Sequence, residues 1–171
     1  MKDAITKAAA RVLIKSGLTG WTVDEVARQA GCAKGLVNYH HRTKLELLAR
    51  VAAFLQDERW NLRSESVGAG QPLDRLWQTL IEDVASGRFS AWLSLLAAPA
   101  PVRDAAGTDP TRIQEFSSTL GASLGLGQDL VPRAALISAV LDGLEVRFLE
   151  GARPTGVEEE YHRFWLTLLD M

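Results

Sequence analysis

The chain has 171 residues, 47% of them hydrophobic and 23% charged, which suits one ordinary domain or a small domain joined to a larger one and excludes a disordered chain. Its one cysteine, Cys32, excludes an internal disulfide framework and a multi-cysteine zinc site, and no stretch reaches the roughly 18 apolar residues of a membrane helix. The formal net charge of −2 is unevenly spread: residues 1–50 carry nine basic side chains against four acidic, residues 51–171 carry ten against seventeen, and every lysine lies at or before Lys44.

A basic module joined to an acidic one suggests that the first meets a polyanion. In chain order, Ile5, Ala8, Ala9, Val12 and Leu13 repeat at helical spacing and stop at Gly17. Arg11 and Lys15 interrupt this run, so no secretory leader is expected and the chain reads as soluble and cytoplasmic. Thr22 with Glu25, and Thr43 with Glu46, are capping boxes that mark two further helix starts. Between them a short helix from about Thr22 breaks at Gly31, and another spans about Ala33 to His41. Such short helices must pack together to persist.

A longer helix is expected from Lys44 to about Arg63, with Leu48, Val51, Ala52 and Leu55 on one stripe, before "SESVGAGQP" breaks the chain. Leu73, Leu76, Trp77, Leu80, Ile81 and Val84 form the next apolar face. Further helices are expected at about 88–97, 110–124, 131–149 and 157–169, separated by Pro- and Gly-bearing stretches such as "APAPVRDAAGTDPT" and "EGARPTG", which read as loops. The predicted fold class is all-α, with a three-helix unit over residues 1–47 and a helical bundle over 48–171.

Two short helices separated by a tight Gly-bearing turn, in a basic three-helix unit, make a helix-turn-helix signature. The spacing puts Val37 and His41 on the inner side of the second helix and leaves Lys34, Tyr39 and His40 outward or on the flanks. Competing chemistries fare worse. His40 and His41 are adjacent and point about 100° apart on a helix, so they cannot chelate one ion, and no metal is expected. No Ser-His-Asp elbow, Gly-rich phosphate loop or carboxylate–histidine cluster points to an enzyme or a cofactor. Cys32 reads as a small turn residue.

"GLTGWTVDEVARQAGCAKGLVNYHHRTKLELL", Gly17 to Leu48, resembles the N-terminal domain of the tetracycline-repressor (TetR) family of bacterial transcriptional regulators. The resemblance implies that Thr22, Asn38, His40 and Lys44 contact phosphates of double-stranded operator DNA, while Lys34, Gly35, Leu36 and Tyr39 lie nearest base edges and thymine methyls. Asn38 stands where the family usually has tyrosine, His41 where it usually has phenylalanine, and Ala33 where a serine commonly caps the recognition helix. The rest of the chain resembles the family in architecture, an acidic helical domain for ligand binding and dimerisation.

In that second module "AALISAVL" carries no charge for two turns, and the last helix offers Val157, Tyr161, Phe164, Trp165, Leu168 and Leu169. Helices apolar on more than one stripe suggest a four-helix interface in a symmetric homodimer, built from Leu136, Val140, Leu144, Tyr161, Trp165 and Leu168. Phe54, Trp60, Trp77, Phe89, Trp92 and Phe116 are expected to wall a cavity, with Asp142 as its polar group or as a structural ion-pair partner. Acidity and flat apolar walls favour a small lipophilic neutral or cationic effector. The expected function is a ligand-responsive regulator, a repressor that binds a near-palindromic operator as a homodimer. The alternative is a helix-turn-helix regulator controlled by a protein partner or by no effector.

Overall fold

The computed structural model describes residues 1–68 and 70–169, and among them every regular element is helical. No helix there is long and apolar enough to cross a membrane. The chain divides into two compact units, Met1–Arg59 with Ser86–Thr108, and Trp60–Ala85 with Asp109–Met171. The division expected at residues 47 and 48 follows the motif, whereas these units follow packing.

In the first unit, α1 (Lys2–Gly20) buries Ile5, Ala8, Ala9, Val12 and Leu13, the stripe read from the sequence. Gly17 leaves helical geometry at φ 64°, a conformation open to glycine at little cost, and a last turn follows before the chain exits at Trp21. α2 (Val23–Ala30) starts on Thr22, whose hydroxyl accepts the Glu25 N–H, and ends on Gly31 in the left-handed region. The Cys32 N–H then closes on the Ala27 carbonyl at 3.0 Å, the six-to-one bond of a Schellman end. α3 (Lys34–His40) is anchored by Val37, with Ala33 and His41 as its flanking caps.

α4 (Lys44–Val67) opens on a reciprocal cap. Thr43 Oγ accepts the Glu46 N–H at 3.0 Å, and the Glu46 carboxylate reaches back to the Arg42 N–H at 3.0 Å. The helix runs four residues past the expected end at Arg63, because "SESV" lacks a breaker until Gly68 and Val67 is fully buried. α6 (Arg88–Leu96) and α7 (Ala100–Ala106) complete this unit. α7 lies within a stretch read as a loop. Pro99 is its N-cap and Pro101 sits in its first turn, where a missing N–H costs nothing, while Val102 and Ala106 are buried. The Trp92 indole N–H holds its end through the Ala106 carbonyl at 2.9 Å.

In the second unit the C-terminal part of α4 packs with α5 (Pro72–Ala85), α8 (Pro110–Ser123), a 3₁₀ turn at Val131–Arg133, α9 (Ala134–Leu149) and α10 (Pro154–Leu169). α10 begins at Pro154 rather than at the expected residue 157, again with proline in a first turn. Trp60, Trp77, Phe116, Ile137, Leu141, Tyr161 and Trp165 form the centre of one apolar core. The Tyr161 hydroxyl donates to the Leu73 carbonyl at 2.6 Å, so this buried phenol is satisfied, and burial raises its pKa well above the usual phenol range.

Candidate functional site

α3 is held by two inward side chains and exposes the rest. Val37 and His41 are 1% and 2% exposed, whereas Tyr39 is 80% exposed, and Lys34, Gly35 and Asn38 are also exposed. Leu36 and His40 are half-buried, and the His40 ring meets the Tyr39 ring edge-on at 5.3 Å. The candidate base-reading and phosphate-binding residues of α3 therefore share one solvent-facing surface, apart from the two half-buried flanks.

Two lysines of the candidate set already have partners. Lys34 Nζ lies 2.8 Å from the Asp24 carboxylate on α2, an exposed pair that adds little stability and gives the lysine a defined starting position. Lys44 Nζ donates to the Trp21 carbonyl at 3.3 Å and lies 5.3 Å from the centre of the Trp21 ring. Glu25 pairs with Arg28, whose hydrogen bond is the main reason the Glu25 carboxyl sits below its ordinary pKa. Ala33 offers no side-chain bond to the first turn of α3, as its methyl group dictates.

His41 fills the place where the resembled family has an apolar ring, and both of its ring nitrogens are buried without a hydrogen-bond partner. Burial lowers its pKa below 6.5, and Lys2 on α1 adds to that, as do His40 and Arg50, while Glu46 opposes it. The imidazole is accordingly a neutral core group at neutral pH.

The candidate effector residues fall in both units. In the first, Phe54 is half-buried, and Phe89 and Trp92 are buried beneath Arg59, whose guanidinium carbon stands 4.8 Å and 4.1 Å from their ring centres. In the second, Trp60 and Phe116 pack edge-to-face at 5.5 Å, and Trp77 packs on Tyr161 at 5.1 Å. Asp142 takes the structural role: its carboxylate accepts from Arg63 at 2.8 Å. Arg63 also donates to the fully buried Glu145 at 2.8 Å and covers the Trp60 ring at 4.9 Å. Burial works against the Arg63 charge, but Glu145, Asp142 and Asp83 outweigh it and hold the guanidinium protonated beyond its usual range.

An open cleft of about 630 Å³ lies on the second unit between α4, α5 and α10. Trp77 lines it, alone among the candidate aromatic residues, together with Leu62, the carboxylates of Glu65, Asp74, Glu82 and Glu158, and the basic Arg75 and His162.

The candidate dimer residues divide sharply. Leu136 is 54% exposed and Val140 half-buried, but Leu144, Tyr161, Trp165 and Leu168 lie inside the core of their own chain. These four are corrected as surface candidates, because the inner stripe of each helix faces its own bundle. The outer stripes instead carry Leu136, Val140 and Gly143 on α9 and Leu166 and Leu169 on α10, with Leu166 65% exposed.

Sequence reasoning missed Asp24, Trp21, Arg59, Arg63 and Glu145. The one available signal was the pair Arg59 and Arg63, which continue at four-residue spacing the row that runs from Leu55 to Val67.

The family model described as bacterial regulatory proteins, tetR family, matches residues 5–51, which run from α1 into α4. Over 55 residues, 32% of this chain, the sequence is 38% identical to the HTH-type transcriptional regulator SrpR of Pseudomonas putida and to the uncharacterized HTH-type transcriptional regulator TtgW of the same species. Those matches span only 26% and 41% of the two relatives. A solved structure from Rhodococcus sp. assigned to the TetR family superimposes with a TM-score of 0.70 at 24% identity, covering 94% of this chain and 93% of that one. The multidrug binding protein EbrR in complex with malachite green gives 0.62 at 25% identity over 98% and 96%. The tetR family model thus matches the helix-turn-helix part of this chain, and a solved structure assigned to that family shares its fold over nearly the whole length.

Proposed function

We propose that the chain is a ligand-responsive repressor that binds a near-palindromic operator as a homodimer. The observation that carries the DNA reading is the face of α3 on which Lys34, Gly35, Asn38 and Tyr39 stand exposed while Val37 and His41 fix the helix from behind. A helix so held can enter a major groove, where lysine and tyrosine reach base edges and Lys44 meets the backbone. Lys34→Ala or Tyr39→Ala should cost about 1–3 kcal/mol on operator and relax specificity. Lys44→Ala should weaken all duplexes alike and lower the salt slope by about one. Titrations of each variant against a selected operator and a random duplex test the assignment, and equal losses on both duplexes for all three would remove it.

The effector reading is a small lipophilic molecule, neutral or cationic, acting in the second module. It is supported by the acidic balance of residues 51–171 and by the dyes proflavin and malachite green, with which EbrR has been solved. Effector and operator would favour different conformations, and their coupling is reciprocal. A tryptophan-fluorescence screen of lipophilic cations, each hit then titrated against operator, should find compounds that quench emission and weaken DNA binding. Hits restricted to phosphorylated or polycarboxylate compounds would overturn the chemical class.

A second reading, control by a protein partner or by no effector, is favoured by one observation. Trp60, Phe89 and Phe116 are fully packed, and Arg59 and Arg63 already lie against the rings of Phe89, Trp92 and Trp60. Under that reading the screen finds compounds that bind without changing operator affinity, or none.

A further inference from the structure

Trp21 ends α1 and precedes the cap of α2, and it is the point to which the first residue of α4 returns. Its indole is 1% exposed, and the Nε1–H donates to the Ala9 carbonyl in the middle of α1 at 2.9 Å. The ring is therefore fixed to the α1 backbone, a rigid platform rather than a mobile surface side chain. Lys44 Nζ stands 5.3 Å from the ring centre and donates to the Trp21 carbonyl at 3.3 Å. Ring and carbonyl draw the ammonium in the same direction, one through the negative face of the π system and the other through a hydrogen bond.

Thr22 is the next residue. Its hydroxyl oxygen is engaged as the acceptor of the Glu25 N–H at 3.2 Å, which leaves its own proton free to donate. An ammonium has three donors and Lys44 spends one on Trp21, so two remain for another acceptor. Both Thr22 and Lys44 are exposed, and both are tied through residue 21 to one anchor. A flexible lysine that must be frozen on binding loses conformational freedom at that moment, whereas one already held has lost it on folding.

We propose that Trp21 is the positioning residue of a phosphate clamp made by Thr22 and Lys44, holding the lysine ammonium beside the threonine hydroxyl before DNA arrives. The proposal rests on the reading that these two residues meet the DNA backbone, and it adds the residue that makes the contact pre-formed. Trp21 itself does not touch DNA.

The test uses the full chain and a mixed-sequence duplex, because phosphate contacts carry no sequence information. Lys44→Ala should lower the slope of log affinity against log salt by about one. Trp21→Leu, which removes the ring face, should lower it by a similar amount, and the double variant should lose no more than either single one. Trp21→Phe keeps a ring beneath the ammonium and should retain the wild-type slope. In the wild-type protein, with no substitution that could unfold it, NMR of labelled lysine should show one ε-methylene shifted upfield by the indole ring and lost in Lys44→Ala. If Lys44→Ala leaves the slope unchanged, the phosphate reading itself fails. If it lowers the slope while Trp21→Leu adds independently or Trp21→Phe behaves like Trp21→Leu, the phosphate reading stands and the positioning role is overturned. Absence of the upfield resonance in the wild type also overturns it.

Discussion

His41 shows how one side chain ties the stability of the first unit to pH. Its pKa is lowered in the folded state from 6.5, so the unfolded chain takes up the proton first as pH falls. The sign follows: stability from this group is complete above about pH 6.5 and declines as pH falls through that value, until the folded imidazole protonates as well. Replacing it with an uncharged ring should remove that dependence. Thermal melts of wild type and His41→Phe between about pH 5 and about pH 8 should show a falling midpoint for the wild type alone, apart from the shared background. Arg63 is the opposite kind of buried ion, paired through Asp142 and Glu145, so removing either side would strand a charge. At this scale the sequence was partly legible. Four-residue spacing placed Val37 and His41 inside, because local periodicity carries that information. The partners of Arg63 lie 79 and 82 residues away, and no local pattern can name them.

Among the elements, helix starts were the most readable feature because their chemistry is local. Thr22 and Thr43 both accept the N–H three residues on, as a capping box requires. α7 escaped because two prolines in a row of small residues read as a breaker, although Pro99 and Pro101 fall where a helix tolerates them. α3 is the weak element. It has seven residues, lacks a side-chain N-cap, and begins on the extended backbone of Ala33, at φ −70° and ψ 144°. That geometry already suits a capping serine, so Ala33→Ser should raise stability by about 0.5–2 kcal/mol in urea denaturation, with no change in helix boundaries. A neutral or negative result would mean that the hydroxyl turns to solvent.

For the whole molecule, the acidic second module was expected to dimerise through two apolar helices, and the structure sorts those residues into inner and outer stripes. On α9, Ile137, Leu141 and Leu144 face the chain's own core, while Leu136, Ala139 and Gly143 are exposed. Exposed leucines on α9 and α10 support the proposed homodimer interface. Leu136→Glu should therefore yield a folded monomer in sedimentation, because the charge enters the proposed interface from a position 54% exposed and outside the core. Leu168→Glu should instead unfold the second unit, because that side chain is 5% exposed inside its own core. A wild-type chain that sediments as a folded monomer at micromolar concentration would defeat the dimer. Residues 86–108 pack into the first unit although they follow α5 in sequence, a long-range pairing that periodicity cannot disclose. Of the candidate aromatic wall, Trp77 lines the open cleft while Trp60 and Phe116 pack in the core, and hydrophobic content does not say whether a ring lines a void or fills one.

The confinement of all five lysines to positions up to Lys44 gives the two modules different vulnerabilities to covalent chemistry. Acetylation neutralises amines and leaves guanidinium groups charged, so it would strip positive charge from the first fifty residues alone. Lys34 would release Asp24, Lys44 would release Trp21, and the arginine-bearing interior around Arg63 would keep its charges. A lysine acetyltransferase acting on this chain would thus weaken the proposed grip on DNA while sparing the module proposed to sense the effector.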